Sequence, residues 1–376
     1  MNKKIIGITS VILLYVIAGL MLLFKLQRIK HERNLVELSA DSSLQEKTIK
    51  QIQATNKKLN PYTKENKKAS QFFTDFFSEL YADHYSGIRV KAYDYTTEAL
   101  KKENAYDEKW FFVEVKKTLK YQSVDELPFV QGMTAYLKAA SPSLQKIYEK
   151  KCAELSVYIG RVQFEYNCLK VKIDRQGNFR ADTVSTYTYH DAQDVHDFAL
   201  PSIAEMQQAG KAFLVKAETV KKKRISYNNA KAVSYAYRYS SNPAFAESDS
   251  SVWNKEYAAY ENDCANFVSQ CLYAGGIKKT NTWCDDSLLW IRTGSPRTQS
   301  AGLTTYMQRN DAFLSVDYSA VSAGGFICLN AESHVMLVSS NDSITILYNG
   351  HTNDRASFCF PHVSSNEAQY LTPNNL

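Results

Sequence analysis

The chain has 376 residues, 45 basic against 39 acidic side chains, and a net charge of +6. That mild excess fits contact with anionic surfaces but does not call for nucleic acid, and no DNA- or RNA-binding motif is present. The length suggests two folded domains plus extras, and an apolar content of 44% can build real cores. Seven cysteines is an odd number with no C-x-x-C pair, so a zinc knuckle is not expected and at least one thiol stays unpaired or pairs elsewhere.

Ile5 to Phe24 is an unbroken apolar run of 20 residues without charge. At about 1.5 Å per residue this matches the hydrocarbon thickness of a bilayer. Lys3 and Lys4 precede it, but no small-x-small cleavage site follows, so an uncleaved anchor over 1–30 is expected. Lys25, Arg28, Lys30 and Arg33 outnumber the charges before the run, and a strict positive-inside count would keep the body in the cytoplasm. Residues 31–68 are polar and lysine-rich with a breaker at Asn60-Pro61, and read as a solvated helical spacer.

From 69 to 220 the pattern is that of a small α+β module. Phe72, Phe73, Phe76, Phe77 and Leu80 form a helical stripe. Trp110–Lys120 and Ser156–Ile173 read as strands, with a turn at Asp174–Asn178 and a further strand over Thr183–Tyr189. Cys152 and Cys168 either meet across strands as a disulfide or stand as two buried thiols. His190 and His196 lie among Asp191, Asp194 and Asp197, where a solvated loop is the plainer reading than a metal site. Pro201–Val220 is helical, and Lys221–Arg224 marks a domain boundary.

The domain expected over 225–376 opens with a helix over Tyr227–Tyr239. The segment Asn262 to Gly276 then places Cys264, Phe267, Val268, Cys271 and Leu272 at i, i+3, i+4, i+7 and i+8. Asn262 and Asp263 suit an N-cap, and Gly275-Gly276 suits an exit. The result is a short, core-packed helix with Cys264 in its first turn, where the helix dipole and unpaired N–H groups favour thiolate. Burial is the plainer fate of any one cysteine, and Cys271 reads as core. Trp283–Ile291 is a short aromatic segment, and Leu303–Phe313 reads as another helix.

Three strands follow, over 326–329, 333–338 and 344–348. In the second, His334, Met336 and Val338 share one face. The order is a helix opening on cysteine, a strand opening on histidine, and a neighbouring strand ending in Asn349 and His351. That order suits thiolate attack on an amide. An imidazole takes the thiol proton and returns it to the leaving amine, and a third group fixes the ring. Backbone N–H groups at the helix start can hold the oxyanion.

At these residues the chain resembles the bacterial putative amidase domain family, grouped with the papain-like cysteine hydrolases alongside NlpC/P60 and CHAP domains. N-D-C-A-N-F-V-S-Q-C-L-Y-A-G-G at 262–276 carries the resemblance. Ser333-His334-Val335 is similar to the family's histidine motif, and His351-Thr352-Asn353-Asp354-Arg355 to its H-T-x-D segment. Where members often have Gly-Asp before the histidine strand, this chain has Gly324-Gly325. The resemblance covers about 225–365. It implies an α+β fold with a papain-like, NlpC/P60-type C-terminal domain, no cofactor and no metal. It also implies Cys264 as nucleophile, His334 as general base and acid, and His351 as the orienting residue, with Asn349 as the alternative and Asn262 as an oxyanion candidate. The implied protein is a single-pass cell-membrane enzyme whose catalytic domain faces the cell wall. Its implied substrate is a peptidoglycan or peptide amide. The alternative is a non-catalytic envelope-binding protein that keeps the fold.

Overall fold

The computed structural model describes residues 62–94, 108–137, 142–187, 195–220, 225–243, 247–295, 300–330 and 334–375. The expected span Ile5–Phe24, the spacer up to residue 61, the basic run 221–224 and His190 lie outside them. Among the described residues no helix is long and apolar enough to cross a membrane. The expectation of a single-pass cell-membrane protein is corrected on that ground and is not carried forward.

The phenylalanine stripe forms α1 (Lys67–Leu80). Asn66 caps it, its side chain accepting the Ala69 N–H at 3.1 Å. Phe73 and Phe77 are fully buried against the sheet, each such ring stabilising the fold by roughly 1.5–3 kcal/mol. Strands β1 (Tyr85–Asp94) and β2 (Glu108–Leu119) pair antiparallel, and β2 pairs antiparallel with β3 (Val162–Lys172). Helices α2 (Pro128–Leu137), α3 (Pro142–Ser156) and, after the short strands β4 (Ser185–Tyr187) and β5 (Val195–Asp197), α4 (Ile203–Thr219) complete this part. α2 and α4 cross at Gly132 and Gly210: a Cβ on either would meet the other helix's backbone at 1.9 Å. His196 lies on β5, not in a loop.

The strand expected from residue 156 starts later. Residues up to Ser156 are helical, because Leu144, Ile147, Lys151 and Leu155 repeat at helical spacing and are buried. Val157 and Tyr158 belong to the turn that follows, where Gly160 takes φ +68°.

The C-terminal part begins with α5 (Asn229–Arg238) and α6 (Cys264–Ala274), followed by α7 (Leu288–Ile291) and α8 (Leu303–Arg309). α8 stops short of Phe313. Asp311 takes φ +50°, and Phe313 instead opens β6 (Phe313–Val316). Strands β7 (Phe326–Leu329), β8 (His334–Asn341), β9 (Ile346–Gly350), β10 (Arg355–Phe360) and β11 (Ala368–Pro373) follow.

The fold is therefore mixed α+β, and the described strands share one sheet. Its order is β1-β2-β3-β10-β9-β8-β7-β11-β6, with β4 paired to β3 and β5 to β4. The join between the two parts is parallel, β3 to β10 through Tyr166 and Phe358, while β7, β8, β9 and β10 pair antiparallel. A buried cluster crosses the join, containing Phe112, Tyr166 and Cys168 together with Met336, Tyr348 and Phe358. A buried polar network crosses it as well. Lys117 bonds Glu165 and donates to Thr345 Oγ1 at 3.0 Å, and Tyr85 donates to Asp342 Oδ2 at 2.7 Å.

Candidate functional site

α6 is buried along its whole first face, and Cys264 opens it at 7% exposure. Phe267, Val268, Cys271 and Leu272 pack with Cys264 against Phe326, Cys328, Val335 and Leu337 of β7 and β8. The sequence spacing thus produces a helix seated on one sheet face, with the thiol at its N-terminal end.

Asp263 holds the N-cap position, but its carboxylate does not cap. Oδ1 accepts the Asn266 amide at 2.8 Å and the Tyr260 N–H at 3.1 Å. Oδ2 lies 2.7 Å from His351 Nδ1, and the Asp263 N–H donates to Thr352 Oγ1 at 2.7 Å. In the first turn of α6 the Ala265 N–H turns to the Cys264 sulfur.

The sulfur has two further partners. Thr293 Oγ1 is 3.7 Å away, and the N–H of the peptide joining His334 to Val335 points at it from β8. Burial nonetheless pushes the Cys264 thiol up, and the neighbouring Asp263 charge adds to that. The three donors pull the other way without overcoming it. The helix-start preference for thiolate expected from sequence is therefore outweighed by desolvation in the resting protein. Cys328, one strand away, is pushed up to about 11 by the same cause.

Thr293 and Cys328 were not singled out by sequence. Thr293 is held by its carbonyl, which accepts the Thr304 N–H at 2.9 Å. Gly294 beside it sits at φ +64°, and a Cβ there would meet Gly302 N at 2.6 Å. Only glycine allows this approach. The Thr-Gly pair just after an aromatic helical turn was the available signal.

His334 opens β8, is buried, and pairs with Leu329. Along β8, Val335 and Leu337 share the Cys264 cluster, whereas Met336 and Val338 join the cluster on the other face with Leu329. Strand alternation assigns His334 to the Met336 face. The N–H that follows His334 in the chain therefore reaches the sulfur, with His334 itself at the first position of β8.

His351 follows β9 and is buried. Nδ1 goes to Asp263 and Nε2 lies 2.6 Å from the Tyr239 carbonyl oxygen, so both nitrogens are committed away from His334. Trp253 and Phe267 stack on its two faces, with centroids at 4.3 and 3.9 Å. Asn349 donates to Ser240 Oγ at 2.8 Å and accepts the Ser357 N–H at 3.2 Å. Asn262 is exposed. The structure thus gathers Cys264, Asp263, Thr293, His351 and the 334–335 peptide around the start of α6.

All seven cysteines are free thiols, Cys152 on α3 and Cys168 on β3 included. Among the described residues no cluster of His, Cys, Asp and Glu could hold a metal. A cleft of about 930 Å³ between α4 and the β6–β11 edge is lined by Glu205, Asp317, His362 and Tyr370, and it contains none of the site residues.

Residues 226–372 match the family model described as a putative amidase domain. No curated protein and no solved structure matches the chain.

Proposed function

Starting from an amidase-family domain over 226–372, we propose that this protein hydrolyses an amide bond by thiolate attack from Cys264, in a papain-like arrangement. The observation that carries the reading is the placement of Cys264 inside the matched segment. It opens a buried helix with two backbone N–H groups and the Thr293 hydroxyl at its sulfur. Those donors favour negative charge at that point, on the sulfur first and then on the oxyanion beside it.

In this reading His334 takes the thiol proton as substrate enters, since burial keeps the resting sulfur protonated. Sulfur attacks the carbonyl carbon. The tetrahedral intermediate collapses as the leaving amine takes the proton back, leaving a thioacyl-enzyme. Water then hydrolyses the thioester with the same imidazole as base. His334 is the first residue of β8, and the N–H that follows it already points at the sulfur. The substrate class supported by the resemblance of 262–276 to peptidoglycan-cleaving domains is an amide of peptidoglycan, in the stem peptide or at the muramoyl–alanine link.

A second reading, a wall-binding protein without turnover, is favoured by the buried thiol, which desolvation keeps protonated. Incubation of the protein with purified peptidoglycan, read by product masses, separates the two. Product that disappears in Cys264→Ala and His334→Ala supports the hydrolase. Binding with no product from the native chain supports the second reading.

A further inference from the structure

We infer that His351 is a buried imidazolium that grips Asp263 and sets the electrostatic surroundings of Cys264, acting as a positioning residue and not as the partner of His334. The inference deepens the Cys264 reading in its consequence for turnover, but its own tests need no substrate.

The proton count is set by the two contacts of the ring. Nδ1 faces a carboxylate oxygen at 2.7 Å and Nε2 faces a carbonyl oxygen at 2.6 Å. A carbonyl oxygen can only accept, and an ionised carboxylate can only accept. A neutral imidazole has one N–H, so one of these short contacts would oppose two lone pairs. Either the ring carries a proton on both nitrogens, or Asp263 carries the second one. Asp263 Oδ1 already accepts from Asn266 and from the Tyr260 N–H, which favours the carboxylate. The protons therefore belong on the ring.

The rest of the pocket suits a cation. Trp253 and Phe267 cover both ring faces at interplanar angles of 11° and 24°, offering the negative face of each π-system. Asp354 accepts the Trp253 indole N–H at 2.8 Å and is a second carboxylate close enough to interact with the ring. The charged groups that interact with the ring are thus Asp263 at the start of α6 and Asp354 after β9; Cys264 follows the first in the chain, and Arg355 follows and acts on the second.

His351 and Thr352 hold Asp263 from both sides, one on the carboxylate and one on the N–H. Phe267, one turn along α6, stacks on the same ring. The imidazolium charge offsets the Asp263 charge that otherwise opposes a thiolate next door. Removing the cation and removing the anion should therefore move the thiol in opposite directions.

The test is the pH dependence of Cys264 alkylation by iodoacetamide in the full chain, followed by peptide mass spectrometry. At pH 8, His351→Gln should slow labelling of Cys264 at least threefold, and Asp263→Asn should speed it by a similar factor. General loosening of the fold would speed both, and that result overturns the inference. If the variants fail to fold, ¹⁵N-histidine NMR of the native chain decides. Protons on both His351 ring nitrogens at pH 7.5 support the inference, and a neutral tautomer there overturns it. Failure of the Cys264 reading shows separately, as unchanged peptidoglycan cleavage in Cys264→Ala.

Discussion

Replacing Lys117 by methionine tests whether the two halves of the chain are one folding unit. Lys117 and Glu165 are 1% and 0% exposed and form an ion pair at the join. Lys117 also donates to Thr345 in the loop between β8 and β9, and lies 4.4 and 4.1 Å from the ring centroids of Tyr81 and Tyr85. Removing the ammonium leaves the Glu165 carboxylate buried, with Tyr81 and Asn167 as its remaining donors among the described residues. Loss of one partner of a buried pair costs roughly 3–5 kcal/mol. Adding Glu165→Gln removes the stranded charge while keeping an oxygen for Tyr81 and Asn167, so the double variant should recover most of that cost, ending within about 2 kcal/mol of the native chain.

The assay is urea unfolding followed by far-UV circular dichroism and by tryptophan fluorescence. Trp253, Trp283 and Trp290 report the C-terminal part and Trp110 on β2 the other. The native chain should unfold in one transition coincident by both probes. Lys117→Met should lower its midpoint, and the double variant should restore most of the difference. A single-variant loss under about 1 kcal/mol, or a double variant worse than the single, would refute the account of the pair as a buried charge couple. Two separated transitions in the native chain would refute the continuity of the sheet as an energetic statement.

Other outcomes follow from the same chemistry. Without substrate, iodoacetamide labelling of Cys264 should keep rising past the ordinary thiol range of about 8.5, because burial raises its pKa; a plateau at pH 8 or below would contradict that. Stability should fall under alkaline conditions. Cys152 and Cys328 are pushed up to about 11, Cys168 to about 12, and Tyr81, Tyr85 and Tyr318 are raised as well. The unfolded chain then loses these protons first, so the folded state's advantage is complete below about pH 8.5 and is lost progressively above it; urea midpoints measured from pH 7 to 11 check this. Gly294→Ala should destabilise by about 1–3 kcal/mol, since it sets a Cβ at positive φ against the Gly302 backbone. It should also disturb Thr293 beside Cys264, read as a shifted pH profile of Cys264 labelling.

The local elements were legible because their periods are local. Phe72 to Leu80 and Cys264 to Leu272 write a helix within one stretch, and both helices are present. The Leu144–Leu155 stripe follows the same rule, but α3 is less amphipathic than α1 and its last turn runs into the alternating residues from Val157 onward. What sequence could not show is pairing at long range. Nothing in Tyr166 announces Phe358 as its neighbour across the sheet. The basic run at 221–224 reads as a boundary, although the strands on either side of it hydrogen-bond into one sheet.

The site divides along the same line. Residue types and their order bring Cys264 and His351 into view, because each sits at the end of an element that its own neighbours specify. The partner of His351 depends on where the chain after β9 passes the start of α6, which is a tertiary fact. The electrostatics at Cys264 likewise required the fold. A helix N-terminus is worth about 0.3–1 kcal/mol to a nearby charge at exposed sites, whereas desolvation of a buried ionisable group can move its pKa by several units. With Cys264 under the β7–β8 face, the larger effect wins. A buried thiol whose pKa is raised holds less of the nucleophilic thiolate until something displaces its surroundings or delivers a base. For a hydrolase, substrate binding near Thr293 and the 334–335 peptide is the event that must do both.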